Sequence, residues 1–197
     1  MSDLLAQRIQ QLDHRDAAVA QGIHAVLQRA YAQEAALLGL RDFAPLQRRA
    51  ADIQGDGDLY LGAIEQGQLC GALAFAPDDE PGQFIVNALV VDPAQQRRGY
   101  GRALMLAALQ LGGGHPFAVS TAAANGPALA LYRGLGFVEY RRGTLGEQAL
   151  AMVKLRRMSG PSTPAHVGLR PARPDHAAPA AAPAGRSRRA GAVRHAL

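Results

Sequence analysis

Residues 84–111, FIVNALVVDPAQQRRGYGRALMLAALQL, decide the fold of this 197-residue chain. Seven of the first eight residues are apolar and β-favouring types dominate, which predicts a strand over 84–91 that is buried on both faces. Asp92-Pro93 ends this strand, because proline lacks the N–H that a further ladder bond needs. From Tyr100 onward the apolar spacing predicts a helix over 100–111 with one buried face, made of Ala103, Leu104, Ala107, Ala108 and Leu111.

The turn between this strand and this helix, residues 96–102, has the composition of a phosphate site. A helix N-terminus leaves N–H groups unpaired and carries partial positive charge, so it holds a phosphate through backbone alone. Two glycines allow close approach of the backbone, and three arginines add charge. The dinucleotide pattern GxGxxG is excluded because Leu104 occupies the position that its third glycine requires. A P-loop is excluded because it needs a lysine in the loop, and the one lysine of the chain, Lys154, lies on another predicted element.

Residues 96–101, QRRGYG, resemble the Q/R-x-x-G-x-G/A loop of the GNAT N-acetyltransferase superfamily. A second segment, NGPALALYRGLGF over 125–137, resembles that family's N-x-x-A-x-x-x-Y-x-x-x-G-F pattern at every position. The physical interpretation agrees, since Asn125 is a good N-cap, Pro127 suits a first turn, and Gly134 or Gly136 can end a helix. The resemblance covers roughly residues 7–157.

The resemblance implies an α/β (α+β) fold with a mixed, mostly antiparallel sheet of about six or seven strands and helices on both faces. The residue patterns predict the remaining strands at 7–12, 59–65, 68–75, 117–121, 137–142 and 148–155. They also predict a helix from Asp13 or Asp16 to about Tyr31, and another over 44–53. Cys70 lies within a predicted strand, which favours a buried structural role.

The same resemblance implies that acetyl-CoA is the acetyl-donating cosubstrate. In the family the central strand splays from its neighbour to admit the pantetheine arm, and one strand N–H polarises the thioester carbonyl. Position in the motif assigns this N–H to Leu89, and such a donor contributes roughly 3 kcal/mol. The residues assigned to the coenzyme are Leu89, Val90, Val91, Gln96, Arg97, Arg98, Gly99, Tyr100, Gly101, Arg102 and Asn125.

Tyr132 matches the family's tyrosine that faces the sulfur, so we assign it to the departing thiolate. A phenol with a pKa of about 10 gives its proton to a thiolate with a pKa of about 8.5 only at a cost of roughly 2 kcal/mol. Stabilisation by a hydrogen bond, with proton transfer completed as the intermediate collapses, is therefore the preferred interpretation.

The group that deprotonates the acceptor is harder to assign. A lysine-like amine with a pKa of about 10.4 is neutral about once in 2,500 molecules at pH 7, so a base would help. Many relatives carry an acid where this chain has Asn87, which cannot take a proton. Glu80 is the assigned catalytic base, while Asp79, a water chain and an acceptor of low pKa stay open. His24 and His115 are interpreted as structural and loop residues.

Charge and composition separate two regions. Residues 1–157 carry 15 Lys+Arg and 15 Asp+Glu, whereas residues 158–197 carry 6 and 1, so the net charge of +5 lies in the second region. We predict a folded domain over 1–157 and a disordered, basic tail rich in Pro, Ala and Arg over 158–197. No secretion signal, membrane span or metal-ligand pattern is evident, so we expect a cytoplasmic protein without a metal.

The predicted function is acetyl transfer from acetyl-CoA to a primary amine on a small molecule or peptide, by direct attack in a ternary complex. The alternative is a non-catalytic acyl-CoA-binding regulatory module, which the absence of an acid at Asn87 keeps open. Nucleic-acid binding through the tail is less favoured. The sequence does not select the acceptor, nor does it distinguish a monomer from a homodimer.

Overall fold

The computed structural model describes residues 7–146 and 149–158, which form seven strands and four α-helices. The predicted tail beyond residue 158 lies outside the described residues, as does Gln148, where the last strand was expected to begin. The elements in chain order are β1 Ile9–Leu12, α1 Ala17–Leu38, α2 Ala50–Gln54, β2 Leu59–Glu65, β3 Gln68–Pro77, β4 Phe84–Val91, α3 Tyr100–Leu111, β5 Phe117–Ala122, α4 Gly126–Gly134, β6 Val138–Leu145 and β7 Leu150–Arg157.

All seven strands join one sheet in the order β1-β2-β3-β4-β5-β7-β6. Neighbouring strands are antiparallel except β4 and β5, which run parallel because α3 crosses over between them. The prediction of a mixed, mostly antiparallel sheet is confirmed.

Two apolar cores lie on the two faces of this sheet. One packs α3 and α4 against the sheet, with Leu104, Met105 and Tyr132 among its buried residues. The other packs α1 and α2 against the opposite face, around Ile23 and Ile53. Helices therefore cover both faces, as the resemblance implied.

Helix α1 is longer than predicted. Asp16 is its N-cap, since its carboxylate accepts hydrogen bonds from the amides of Ala18 and Val19, at 2.9 Å each. The alanine-rich continuation after Tyr31 keeps a high helix propensity, so the helix continues to Gly39, whose φ of 66° caps it.

The single helix predicted over 44–53 is wrong. Residues Ala44–Gln47 form a 3₁₀ turn, and α2 begins only at Ala50. Arg48 between them has extended backbone, with a ψ of 133°, and its guanidinium donates to the hydroxyl of Tyr60 at 2.9 Å. This tertiary contact overrides a helical spacing that continued across the break.

Helix α3 has the predicted bounds but a different buried stripe. Its buried residues are Tyr100, Leu104, Met105 and Ala108, while Leu111 is 49% exposed. The buried stripe therefore begins at Tyr100 in the first turn and does not include Leu111 in the last turn. Cys70 is buried, as expected. In the described part of the chain, no helix has the length and apolar character of a membrane span.

Candidate functional site

The parallel strands β4 and β5 are paired over only part of their length. Their pairing runs only from Phe84 opposite Phe117 to Val86 opposite Val119. Beyond this point β4 continues to Val91 beside β3, and β5 continues to Ala122 beside β7. Within the described residues, the facing backbone edges of the two strands have no strand partner there. We call this gap the wedge; Leu89, Val90 and Val91 lie along its β4 side.

A β-bulge in β4 lies at the start of the wedge. Ala88 pairs with Ala74 and Val86 with Phe75, which leaves Asn87 as the extra residue. The Asn87 amide Nδ2 donates to both carboxylate oxygens of Asp58, at 2.8 Å each. The carboxylate of Asp58 therefore lies beside Asn87, the position where many relatives carry an acid. The sequence did not predict this contact.

Residues 96–102, the amide loop, connect the end of β4 to α3. The first α3 amide with a backbone acceptor is that of Ala103, which donates to the Gly99 oxygen at 3.0 Å. Among the described residues, no acceptor takes a hydrogen bond from the backbone amides of 96–102. Arg97 and Gly99 have φ values of 62° and 88°, and left-handed residues of this kind turn successive amides toward one concave side. The loop therefore has the backbone geometry that suits an anion.

The side chains of the amide loop have different tasks. The hydroxyl of Tyr100 bonds to Glu65, which also accepts from Arg8, and the bond from Tyr100 lowers the pKa of Glu65. Tyr100 thus anchors the loop to β2 and offers a ligand only its backbone. Arg98 lies 3.5 Å from Glu65, and Arg102 donates to the Gly134 oxygen at 3.3 Å. All three arginines are exposed, and within the described part of the chain Arg98 is the one of the three that forms an ion pair.

Helix α1 lies across the open end of the wedge. Arg29 is paired with Asp92 at the end of β4, at 2.6 Å. The side-chain oxygen of Gln33 accepts from Gln96 in the amide loop, at 2.6 Å. The next residue, Glu34, accepts from Asn125 Nδ2 at 2.9 Å. One helix therefore joins the strand end, the amide loop and the cap of α4.

Asn125 and Tyr132 belong to the N-cap and the body of α4. We call the place where α1 meets this helix, at Glu34, Asn125 and Tyr132, the junction. Asn125 is fully buried, and its Oδ1 caps α4 by accepting from the Ala128 amide at 3.2 Å, which confirms the predicted N-cap. Tyr132 is also fully buried, with its ring centroid 5.7 Å from that of Phe137. Burial raises the pKa of Tyr132 well above its usual value, and the charge of Glu34 adds to this effect. The phenol therefore keeps its proton at neutral pH and can donate it in a hydrogen bond.

Glu34 is a buried carboxyl that the sequence analysis missed. It is 1% exposed; Oε1 accepts from Asn125, and Oε2 has no hydrogen-bond partner in the described part of the molecule. Burial raises the pKa of Glu34 to about 7. The sequence did hold a signal, because Glu34 stands four residues after Ala30 and seven after Leu27, on the stripe that packs into the core.

The structure does not bring Glu80 to this junction. Its carboxylate accepts from Arg156 of β7 at 3.2 Å, and its side chain is 42% exposed. The titratable neighbours that act on Tyr132 are Glu34 and Tyr31 instead. His24 and His115 bond to the backbone oxygens of Arg48 and Gly82, at 3.0 and 3.1 Å, which agrees with structural roles.

The model of the acetyltransferase (GNAT) family matches residues 21–137, which is more than half of the chain. The chain belongs to this family. The matched GNAT region contains the part of α1 that crosses the wedge, both strands of the wedge, the amide loop and Tyr132.

Two curated relatives are similar to parts of this GNAT protein. The UPF0157 protein YqkA of Bacillus subtilis is 32% identical over 130 residues, which are 66% of this chain and 37% of that protein. The N-alpha-acetyltransferase RimI of Mycobacterium tuberculosis is 34% identical over 105 residues, which are 51% of this chain and 66% of that protein. The chain thus spans about a third and about two thirds of the lengths of these relatives.

Solved structures show the same fold. The ribosomal-protein-S18-alanine N-acetyltransferase of Escherichia coli gives a TM-score of 0.60 at 20% identity, covering 81% of this chain and 98% of that one. The PaiA N-acetyltransferase of Thermoplasma acidophilum, solved in complex with coenzyme A, gives 0.60 at 15% identity, covering 74% and 96%. At these identities the likeness concerns the fold alone.

Proposed function

We propose that this GNAT-family protein transfers an acetyl group from acetyl-CoA to a primary amine. The observation that carries the proposal is the position of the amide loop at the mouth of the wedge. The loop offers uncommitted amides at a helix N-terminus, which suit the pyrophosphate of the coenzyme. The wedge offers the unpaired β4 edge at Leu89, Val90 and Val91, which suits the amides of the pantetheine arm.

Acetyl-CoA supplies an activated acyl group, and the residues of the chain bind and polarise it. The Leu89 N–H is the proposed donor to the thioester oxygen, and the Tyr132 hydroxyl the proposed donor to the sulfur. The amine nitrogen forms a bond to the acetyl carbon as the carbon–sulfur bond breaks. Direct attack is favoured over an acyl-enzyme, because Cys70 is 1% exposed and burial raises the pKa of its thiol.

An α-amine at the N-terminus of a peptide is the acceptor that we propose. One curated relative is named an N-alpha-acetyltransferase, and this similarity supports the choice. The chemistry supports it too, since an α-amine with a pKa near 8 is neutral in roughly one molecule of ten at pH 7. The cytoplasmic location and the division of the chain after residue 157 remain predictions from the sequence.

The proposal is tested by measuring release of the coenzyme thiol when the full chain is mixed with acetyl-CoA and one acceptor at a time. The acceptors are a peptide with an N-terminal alanine, an Nα-blocked lysine, spermidine and an aminoglycoside. We expect acceptor-dependent release that is fastest with the peptide, and a product that carries one acetyl group on its α-amine. Binding of acetyl-CoA without release for any acceptor would favour the non-catalytic module instead.

A further inference from the structure

We propose that Glu34 is the base that removes a proton from the acceptor amine. The inference rests on the proposed acetyl transfer and replaces the assignment of Glu80 made from the sequence. The Glu34 carboxyl lies where α1 meets α4, through its hydrogen bond with Asn125.

The two oxygens of Glu34 are in different situations. Oε1 is held by Asn125 Nδ2 at 2.9 Å, whereas Oε2 is buried and has no hydrogen-bond partner among the described residues. No cation within the described ranges lies close enough to pair with it, although the other buried carboxylate, Asp92, has Arg29 at 2.6 Å. A buried polar atom left without a partner is rare in folded proteins and calls for an explanation, of which a catalytic role is one. Oε2 is therefore oriented, buried and available.

The surroundings of Glu34 connect it to the reacting groups. Asn125, its hydrogen-bond partner, and Tyr132 both belong to the second family motif and lie two helical turns apart on one face of α4. The Glu34 charge acts on Tyr132 and on Tyr31 of its own helix. Glu34 and Tyr132 are both enclosed, at 1% and 0% exposure. The carboxyl of Glu34 and the phenol of Tyr132 therefore share one enclosed site, so a thioester placed at Tyr132 has Glu34 as a neighbouring carboxyl.

Two further carboxylates near the site or assigned from the sequence, Asp58 and Glu80, suit the role of the base less well. Both oxygens of Asp58 hold the amide of Asn87, at 2.8 Å each. Glu80 is paired with Arg156 at 3.2 Å and is half exposed. Both carboxylates are therefore already engaged by other side chains. Glu34 suits the role of the base better, because within the described residues it forms no ion pair and its Oε2 accepts no hydrogen bond.

The titration of Glu34 fits this task. A pKa of about 7 allows the carboxyl to take and to release a proton near neutral pH. The titratable groups that face it are Tyr31 on α1 and Tyr132 on α4; burial raises the pKa of both, so they stay neutral over this range, and Arg48 acts on Tyr31.

The proton balance closes with these groups. The ammonium gives one proton to Glu34 Oε2, and its nitrogen then attacks the acetyl carbon. As the carbon–sulfur bond breaks, the nitrogen passes its second proton to the Tyr132 oxygen. The Tyr132 hydroxyl passes its own proton to the thiolate sulfur, so the phenol is restored. Glu34 releases its proton to solvent after the product leaves, so each turnover yields the amide, the free thiol and one proton.

The test compares wild type, Glu34→Gln and the matched control Glu80→Gln in the full chain, with acetyl-CoA and a peptide with a free α-amine, between pH 6 and 9. We expect Glu34→Gln to lower kcat/KM by about 100-fold or more at pH 7. The loss should shrink above pH 8, where the α-amine becomes neutral without help. Glu80→Gln should stay within about threefold of wild type, and all three proteins should bind acetyl-CoA alike in calorimetry.

Each other outcome has a definite meaning. Glu34→Gln with wild-type rates across this range would overturn the role of Glu34 alone. A loss by the same factor at every pH would show a structural role and overturn proton removal. Wild type without acceptor-dependent turnover would overturn the proposed function itself, and with it the assignment of its base.

Discussion

Tyr132→Phe should lower kcat by about 100-fold or more while the Kd for acetyl-CoA changes by less than about twofold. The substitution removes the hydroxyl that we propose as the donor to the departing sulfur. It keeps the aromatic ring, which is fully buried and packs beside Phe137 at 5.7 Å. The fold and the amide loop should therefore stay intact, and the effect should fall on the chemical step.

Tyr140→Phe is the matched control for this prediction. Tyr140 also has a buried hydroxyl, but it lies on β6, with its ring against the guanidinium of Arg156 at 4.7 Å. Steady-state thiol release gives kcat, and calorimetry gives the Kd. Loss of acetyl-CoA binding in Tyr132→Phe, or a kcat above about a third of wild type, would contradict the assignment.

The stability of the protein should depend on pH through Glu34. Its pKa is raised from 4.5 to about 7 in the folded state, so the native chain holds a proton that the unfolded chain releases in this range. Stability contributed by this proton is complete below pH 4.5 and is lost as the pH rises through 7. With about 1.4 kcal/mol per pH unit, the loss in free energy of unfolding is about 3 kcal/mol.

Glu34→Gln isolates this contribution from those of all other titrating groups. Urea unfolding of wild type and variant at several pH values gives the difference in their free energies of unfolding. Between pH 4.5 and 8, the free energy of unfolding of wild type should fall by about 3 kcal/mol relative to that of Glu34→Gln. A difference that stays constant with pH would mean that Glu34 keeps an ordinary pKa in the folded protein.

The central segment could be predicted because its signals are local. The apolar run over β4 and the helical spacing of α3 gave the bounds that the structure shows, and the cap of α4 at Asn125 followed from residue type. Where a long-range contact decided the outcome, prediction was wrong, as at Arg48, whose reach to Tyr60 breaks the expected helix.

The candidate site could be predicted only in part, for a related reason. Motif spacing predicts the amide loop and Tyr132 as site residues, but it could not show that the Tyr100 hydroxyl bonds to Glu65. Glu34 lies 91 residues before Asn125, so nothing local connects them. Glu80 attracted attention because it lies in an acidic loop, and its partner Arg156 follows 76 residues later. Pairings of this kind belong to the folded chain rather than to any window of sequence.

The most direct test of this account is calorimetric titration of acetyl-CoA into the full chain and into a variant with Gly99 and Gly101 both changed to valine. A valine at Gly99 is strained by the φ of 88°. At Gly101 an added Cβ already lies 3.5 Å from Leu131 and 3.6 Å from Val91, so the larger valine side chain presses on both residues. The control changes Gly57 and Gly143, where an added Cβ meets nothing within 4 Å. We predict binding by wild type and control, with affinity at least about tenfold weaker in the loop variant, or 1.4 kcal/mol. No binding by wild type, or equal binding by the loop variant, would contradict the assignment of residues 96–102 to the coenzyme.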